Sequence, residues 1–167
     1  MYDELTQVDI DKMKEELEHR TRVLRPQLIE EVQRTREFGD LSENFEYKCA
    51  KRDKNRNDSR IRYLERMIKT AKVIDAAPTD EGIGLFDKVV LFNEMTGKEM
   101  HLQIVTTLRQ NVLKGLISKE SPVGKAIIGH QPGDRVQVVV NPQTQYCVQI
   151  RSREKGEDDE NMEISAY

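Results

Sequence analysis

Two carboxylates, Asp40 and Glu43, stand three residues apart between two stretches of helical periodicity. This is the spacing of a capping box, in which the first side chain accepts from a backbone N–H and the second reaches back. Acidic side chains also favour a helix N-terminus electrostatically. Carried at the end of a rod, the same pair of carboxylates could instead reach a metal ion in the pocket of another molecule. Both interpretations of Asp40 and Glu43, a helix cap and a metal-binding pair, remain open at this point.

Two helical patterns flank the carboxylates. From Asp9 to Glu37, apolar residues recur at helical spacing, which predicts an amphipathic helix. Pro26 interrupts this pattern, and we expect a kink or local break there because proline removes a hydrogen bond to the carbonyl four residues back. The second helix follows a heptad seam with alternating steps of three and four residues. The seam consists of Tyr47, Ala50, Lys54, Asn57, Ile61, Leu64, Ile68 and Ala71.

The link between the two helices is short, from Phe38 to Leu41, so the helices must lie antiparallel as a hairpin. Each arm of about 30 residues would be about 45 Å long. Narrow apolar seams and an aromatic content of only 5% are typical of a two-stranded coiled coil. We therefore assign residues 1–75 to a coiled-coil hairpin domain whose tip lies at residues 38–44.

Turn residues cluster after the hairpin, and residues 76–84 are predicted to be a linker. Residues 85–153 contain short apolar or alternating runs separated by turns, which is typical of a mostly antiparallel sheet. The runs are Lys88–Phe92, Lys98–Val105, Gly115–Ser118, Arg135–Val140 and Tyr146–Ile150. Ser121 and Pro122 have the residue types favoured at the N-cap and first position of a helix, so one short helix should follow them.

Charge is distributed unevenly along the chain. The net charge of −3 excludes a simple basic nucleic-acid binder, although 34% of the residues are charged. Residues 1–47 have a net charge of −6, whereas residues 48–72 carry ten basic and three acidic side chains. Six acidic residues fall within residues 154–167, which are predicted to form an acidic, disordered tail.

The sequence also indicates whether the protein crosses or is exported through a membrane. No run approaches the roughly 20 apolar residues that a membrane span requires, and residues 1–10 lack the apolar stretch of a secretory signal. We therefore expect a soluble, cytoplasmic protein that does not contact membranes.

The two cysteines, Cys49 and Cys147, are far apart and have no CxxC partner, so we expect free thiols rather than a disulfide or a zinc site.

Two sequence blocks resemble the signatures of the bacterial Gre transcript cleavage factors. The first is REFGDLSENFEY at residues 36–47. The second is GLISKESPVGKA at residues 115–126, followed by Gly129 and Gly133-Asp134, and it is closer to the GreA branch. The resemblance extends from about Leu5 to Ile150, and the hairpin inferred independently from periodicity agrees with it.

This resemblance implies an α+β protein, in which an antiparallel coiled-coil hairpin is followed by a small FKBP-like domain. It implies that the second domain docks on bacterial RNA polymerase while the hairpin enters the secondary channel. The family's tip acids map onto Asp40 and Glu43, which would help to hold a second Mg²⁺ in the polymerase active site. The polymerase would then hydrolyse its own backtracked transcript, so we expect a monomer that is not an enzyme and has no cofactor of its own.

The resemblance also implies contacts away from the acids. Arg36 and Lys51 match patch positions that contact the 3′ segment of the nascent RNA, and we add Arg52 because of its position. The alternative is a solvated coiled-coil face whose charge the acidic first arm neutralises. The family loop that touches the polymerase matches Ser118, Glu120, Ser121 and Pro122. Helix capping by Ser121 and Pro122 is an alternative that is compatible with docking.

Three functions follow from these patterns. The first is an elongation factor that activates transcript cleavage by the polymerase and so rescues arrested complexes. The second is a Gre-like regulator that occupies the channel without stimulating cleavage, for which Asp40 and Glu43 would be unnecessary. The third is a generic coiled-coil adaptor, which leaves both sequence blocks unexplained. Direct DNA binding is only weakly supported, because the basic segment has an acidic neighbour.

Overall fold

The computed structural model describes residues 3–39, 43–75 and 81–165. The chain divides into two compact units. The helical unit spans Ile10–Ala71, and the second unit combines Glu4–Asp9 with Lys72–Ala166. Within the described ranges, no helix is both long enough and apolar enough to cross a membrane.

The helical unit contains the predicted hairpin. Its elements are α1 (Gln7–His19), a π-helical turn (Arg20–Leu24), α2 (Arg25–Arg36) and α3 (Phe45–Thr70). Helices α2 and α3 pack against each other in antiparallel directions, which confirms the hairpin. The buried residues of α3 are Ala50, Asn57, Arg60, Ile61, Leu64 and Met67. Most of these were predicted from the heptad seam, whereas Arg60 and Met67 make the buried stripe wider than a strict seam.

Pro26 is accommodated by a change of helix type in the turn that precedes it. In the π-helical turn just before it, the Arg25 N–H donates to the carbonyl of Arg20, five residues back. The Arg20 carbonyl also accepts a hydrogen bond from Asn57 Nδ2 at 3.1 Å. Because Pro26 has no N–H to donate, the wider turn lets the chain remain helical. The local break predicted from the sequence is confirmed and takes the form of a π-helical turn.

A charged cluster next to this turn links the two arms. Glu16 Oε1 accepts hydrogen bonds from Arg20 Nε and Arg60 Nε, each at 2.8 Å, and Glu16 Oε2 accepts from Arg60 Nη2 at 3.1 Å. Burial alone would raise the pKa of Glu16, but the hydrogen bonds and positive charges of Arg60 and Arg20 outweigh it and lower the pKa. The ionised carboxylate therefore stabilises this part of the hairpin.

The second unit is built on a five-stranded sheet with strand order β5-β4-β3-β7-β6. Its strands are β3 (Lys88–Asn93), β4 (Lys98–Val105), β5 (Leu116–Ser118), β6 (Arg135–Asn141) and β7 (Thr144–Glu154), with β1 (Glu4–Leu5) and β2 (Lys72–Val73) forming a separate parallel pair. All pairs in the large sheet are antiparallel except β4–β5. The short helix α4 (Pro122–Ile127) buries Ile127 among the core residues of the sheet. The predicted fold class is confirmed.

The domain boundaries differ from those predicted at the N-terminus and at the linker. Residues Glu4–Asp9 belong to the second unit because β1 pairs with β2 and because Asp9 Oδ1 lies 2.5 Å from Arg109 Nε, with both side chains fully buried. Residues 76–80 of the predicted linker lie outside the described residues. Ile83, also assigned to that linker, is instead buried in the core and donates its N–H to the His130 carbonyl at 2.8 Å.

The acidic tail is also ordered over a longer range than its composition predicts. Asp158 Oδ1 lies 2.5 Å from Arg109 Nη2, and the Ser165 N–H donates to the Leu108 carbonyl at 2.6 Å. The prediction of disorder is therefore wrong for residues 157–165. The physical reason is the buried guanidinium of Arg109, which pairs with Asp158 as well as with Asp9.

Candidate functional site

The described part of the hairpin tip is organised by one asparagine. Asn44 is the N-cap of α3, and its Oδ1 accepts a hydrogen bond from the Tyr47 N–H at 3.0 Å. Its Nδ2 donates to the carbonyl of Thr35 at 2.6 Å. Thr35 is buried, and its hydroxyl donates to the Glu31 carbonyl at 2.9 Å. One side chain therefore joins the end of α2 to the start of α3.

This arrangement bears on the two candidate carboxylates. Asp40 lies outside the described residues, whereas Glu43 is exposed and immediately precedes the N-cap. Because Asn44 caps α3, the third helical position is Tyr47, so a capping box formed by Asp40 and Glu43 does not start this helix. The sequence analysis missed Asn44, although asparagine is among the strongest N-cap residues.

The chemistry of the tip fits a partial magnesium site. Among the described residues, the Glu43 carboxylate has no ion-pair partner, and no three His, Cys, Asp or Glu side chains are grouped so that they could hold a metal. Mg²⁺ commonly takes one or two protein carboxylates and keeps its other ligands from water or substrate. Asp40 and Glu43 therefore suit a metal whose remaining ligands come from elsewhere.

The predicted RNA contacts Arg36, Lys51 and Arg52 are all exposed. Lys51 and Arg52 line a shallow groove of about 380 Å³ on α3, together with Lys48, Asn55, Arg56 and Ser59. In the parts of the chain that the structure describes, the four cations of this groove make no ion pair. The expected neutralisation by the first arm occurs further along α3, where Arg60 pairs with Glu16 at 2.8 Å. Within the described ranges, the first arm therefore does not neutralise the positive charge of this groove.

The predicted docking loop contains both exposed and internal residues. Glu120 and Pro122 are exposed, whereas Ser118 is only 2% exposed, so placing its side chain on a docking surface is wrong. Ser118 ends β5, and its carbonyl accepts from Ser121 Oγ at 2.6 Å. Ser121 Oγ also accepts from the Gly124 N–H at 3.1 Å, which confirms the predicted N-cap. These hydrogen bonds of Ser118 and Ser121 fix the loop on which Glu120 and Pro122 are exposed.

Gly124 is required where α4 approaches this loop. A Cβ atom at this position would lie 2.1 Å from the carbonyl oxygen of Ser118, which is backbone and cannot move aside freely. The close approach lets α4 begin directly against the end of β5. The geometry of the loop from Ser118 to Pro122 depends on it.

The fold and site together define a two-domain protein that presents carboxylate and cationic side chains on a helical hairpin joined to a small sheet domain. Residues 4–73 match the family profile described as "Transcription elongation factor, N-terminal", and residues 78–154 match "Transcription elongation factor, GreA/GreB, C-term". The chain belongs to the GreA/GreB family of transcription elongation factors.

The chain is also similar to individual proteins over most of its length. The chain is 42% identical over 135 residues to transcription elongation factor GreA of Mesoplasma florum, which covers 80% of this chain and 86% of the relative. It is 36% identical over 134 residues to GreA of Thermotoga maritima, with the same coverage of both chains. Among solved structures it is similar to GreA factor homolog 1 of Thermus thermophilus, at 26% identity and a TM-score of 0.43, over 93% of this chain and 100% of that one.

Proposed function

We propose that this elongation factor binds bacterial RNA polymerase through its secondary channel and stimulates the polymerase's Mg²⁺-dependent cleavage of backtracked nascent RNA. Arrested complexes would thereby be rescued. The factor contributes side chains to the polymerase active site and has no active site or cofactor of its own. It acts in the cytoplasm as a monomer.

The observation that carries this proposal is the position of Glu43. Glu43 is exposed at the end of the hairpin, and the residue that caps α3 is Asn44. Because the Glu43 side chain is exposed and does not cap the helix, its carboxylate is available to a partner. Family resemblance assigns the same role to Asp40, three residues earlier.

The hairpin has the reach and stiffness that the proposal requires. Helix α3 contains 26 residues. At 1.5 Å per residue its length is about 39 Å, so it can place a tip deep within a partner. The cross-arm contacts of Glu16 with Arg60 and of Arg20 with Asn57 resist sliding of one arm along the other.

The chemistry is that of two-metal phosphodiester hydrolysis, in which the second Mg²⁺ helps to activate water or stabilise the leaving oxygen. Asp40 and Glu43 would supply two of its oxygen ligands. Exposed Glu120 and Pro122 would contact the polymerase from the sheet domain. Arg36, Lys51 and Arg52 would contact phosphates of the RNA 3′ segment, so their contribution should weaken with salt.

The test uses a stalled, backtracked bacterial elongation complex with end-labelled RNA and Mg²⁺. The parent protein is compared with Asp40→Asn/Glu43→Gln at equal occupancy of the polymerase, and Glu37→Gln serves as a control that removes an exposed acid before the tip. We expect rapid shortening of the RNA with the parent and the control but not with the double variant. If both the parent and the double variant bind and neither shortens the RNA, the protein is a channel regulator and the proposal fails.

A further inference from the structure

The chain continues past the family profile, whose match ends at residue 154, and residues 155–165 form a tail segment with a defined path. Gly156 passes so close to the sheet domain that a Cβ atom on it would clash with the carbonyl oxygen of Phe86. At the other end, the Ser165 N–H donates to the Leu108 carbonyl at 2.6 Å. The tail segment is therefore attached to the sheet domain at both ends.

The middle of the tail segment reaches a buried arginine. Asp158 Oδ1 lies 2.5 Å from Nη2 of Arg109, which is only 1% exposed. The same guanidinium donates to Thr6 Oγ1 at 3.1 Å and to Asp9 Oδ1 at 2.5 Å. One buried cation thus joins the tail segment to the N-terminal segment Glu4–Asp9, which belongs to the same compact unit. Members of a buried charge cluster depend on one another, because losing one leaves the rest incompletely compensated.

The N-terminal segment is in turn tied to the predicted docking loop, Ser118–Pro122. Glu4 forms a hydrogen-bonded ion pair with Lys119, the second residue of this loop. Only Leu5 separates Glu4 from Thr6, the partner of Arg109. A continuous series of contacts therefore runs from the tail segment through Arg109 and the N-terminal segment to the docking loop.

The packing beneath the tail segment is incomplete. A cavity of about 550 Å³ is lined by residues 161–165 on one side and by Arg109, Lys114 and Leu116 on the other. Among the described residues, the buried Nη1 atom of Arg109 has no hydrogen-bond partner. Segments open locally where few buried contacts hold them. The tail segment should therefore detach more readily than the sheet domain unfolds.

We propose that the tail segment is a detachable latch that positions the docking loop. While Asp158 is paired with Arg109, the N-terminal segment is held and Glu4 keeps Lys119 in place. When the tail segment detaches, the loop loses this support. Asp158 is thus a positioning residue that acts on the loop through Arg109 and the N-terminal segment. That the loop docks on RNA polymerase rests on the proposed function, whereas the coupling of the tail segment to the loop does not.

Hydrogen exchange of the full-length protein without polymerase tests this coupling. The amides of Ser165 in the tail segment, Ser121 in the loop and Ile150 in the sheet core each donate a backbone hydrogen bond. Asp158→Asn should accelerate exchange at Ser165 and Ser121 about tenfold or more and leave Ile150 within about twofold of the parent. Unchanged exchange at Ser121, or equal acceleration at all three amides, would overturn the proposal, since equal acceleration means that the whole domain is destabilised.

Two further variants separate attachment of the tail segment from its charge. Glu160→Gln removes an exposed acid from the same segment and should leave exchange at all three amides unchanged. Ser165→Pro removes the N–H that bonds to the Leu108 carbonyl and alters no charge, so it should also accelerate exchange at Ser121. If Ser165→Pro leaves Ser121 unchanged, attachment of the tail segment does not position the loop and the proposal fails.

A double variant tests the route through the N-terminal segment. Glu4→Gln removes the charge that pairs with Lys119. If the latch acts through Glu4, Asp158→Asn should accelerate exchange at Ser121 much less in the Glu4→Gln background than in the parent, because the two substitutions interrupt one series of contacts. Accelerations that simply multiply would show two independent effects and would contradict the proposed route.

Polymerase binding distinguishes a failure of the latch from a failure of the proposed function. If the loop docks on RNA polymerase, Asp158→Asn should weaken the affinity about threefold or more, whereas Glu160→Gln should bind as the parent does. Accelerated exchange at Ser121 with unchanged affinity would support the latch and refute docking through this loop. Weaker affinity with unchanged exchange at Ser121 would overturn the latch and assign Asp158 to the polymerase contact itself.

Discussion

Arg20 and Asn57 exchange two hydrogen bonds across the hairpin. Arg20 Nη1 donates to Asn57 Oδ1 at 3.0 Å, and Asn57 Nδ2 donates to the Arg20 carbonyl at 3.1 Å. The second bond falls on the carbonyl that also accepts the Arg25 N–H in the π-helical turn. Sliding α3 by one helical turn would move it about 5.4 Å and break both bonds. This pair therefore defines the register of the two arms, and with it the relative position of the helix ends at the tip.

Asn57→Ala should destabilise the hairpin by about 1–3 kcal/mol, because Asn57 is buried and its loss removes both hydrogen bonds that join the arms at this point. The free energy of unfolding is obtained from urea titrations that follow helical circular dichroism. Asn55→Ala, on the exposed face of the same helix, is the control and should change stability by no more than about 0.5 kcal/mol. Equal effects in the two variants would contradict a role for Asn57 in the register.

Glu16 should make hairpin stability dependent on pH in the acidic range. The pKa of Glu16 in the folded chain is lower than its ordinary value of 4.5, because Arg60 and Arg20 together outweigh the effect of burial. The ionised carboxylate therefore contributes its full stabilisation above about pH 4.5, and this contribution is lost as the pH falls through the lowered pKa. Glu16→Gln should be less stable than the parent at pH 7 and should lose less stability on acidification.

The measurement is the urea midpoint of the helical signal at several values between pH 7 and pH 3. Glu18→Gln is the matched control, since Glu18 is on the same helix but its side chain is 61% exposed. It should keep the pH dependence of the parent. A Glu16→Gln profile parallel to that of the parent would show that Glu16 does not link pH to stability.

The elements that were predictable from the sequence are those with a local pattern. The period of Ala50, Ile61 and Leu64 predicted the seam, and Ser121 with Pro122 predicted the start of α4. The position of the break was also predictable from local sequence, because Pro26 marks it. Its π-helical form was not predictable locally, because Asn57, a residue on the other arm, stabilises that turn.

The remaining differences depend on contacts between distant parts of the chain. Arg109 binds Asp9, one hundred residues away, and Asp158 in the tail, so neither the periodicity around Asp9 nor the acidic composition of the tail revealed that both segments pack in the second unit. The burial of Ser118 follows from the pairing of β5 with β4, which a match to a motif does not reveal. At the tip, the spacing of Asp40 and Glu43 fits a capping box, but the residue that caps α3 is Asn44.

Gly124→Ala should disturb the predicted docking loop. The added methyl group would lie 2.1 Å from the Ser118 carbonyl oxygen, so either α4 or the end of β5 must shift. We expect a loss of about 1–3 kcal/mol in stability and weaker binding to RNA polymerase. Lys125→Ala, an exposed change in the same helix, should leave stability within about 0.5 kcal/mol of the parent. Unchanged polymerase affinity in a destabilised Gly124→Ala protein would separate the loop from docking.

Asn44 should influence both the stability of α3 and the activity of the tip, and two substitutions separate these effects. Asn44→Ser keeps a side-chain oxygen that can accept the Tyr47 N–H, but it has no amide to donate to the Thr35 carbonyl. Asn44→Ala loses both hydrogen bonds and should cost about 1 kcal/mol through the lost cap. Hydrogen exchange at Tyr47 should therefore remain slow in Asn44→Ser and become faster in Asn44→Ala.

Transcript cleavage should depend on the second hydrogen bond of Asn44, from its Nδ2 to the Thr35 carbonyl. If the bond from Asn44 to Thr35 positions Glu43, both variants will stimulate cleavage less than the parent at equal polymerase occupancy, although only Asn44→Ala frays the helix. Full activity in Asn44→Ser would mean that the cap alone is sufficient to position the acid. Because Glu43 directly precedes Asn44, a loss of activity in Asn44→Ser with α3 intact would locate the defect at the junction of the two arms.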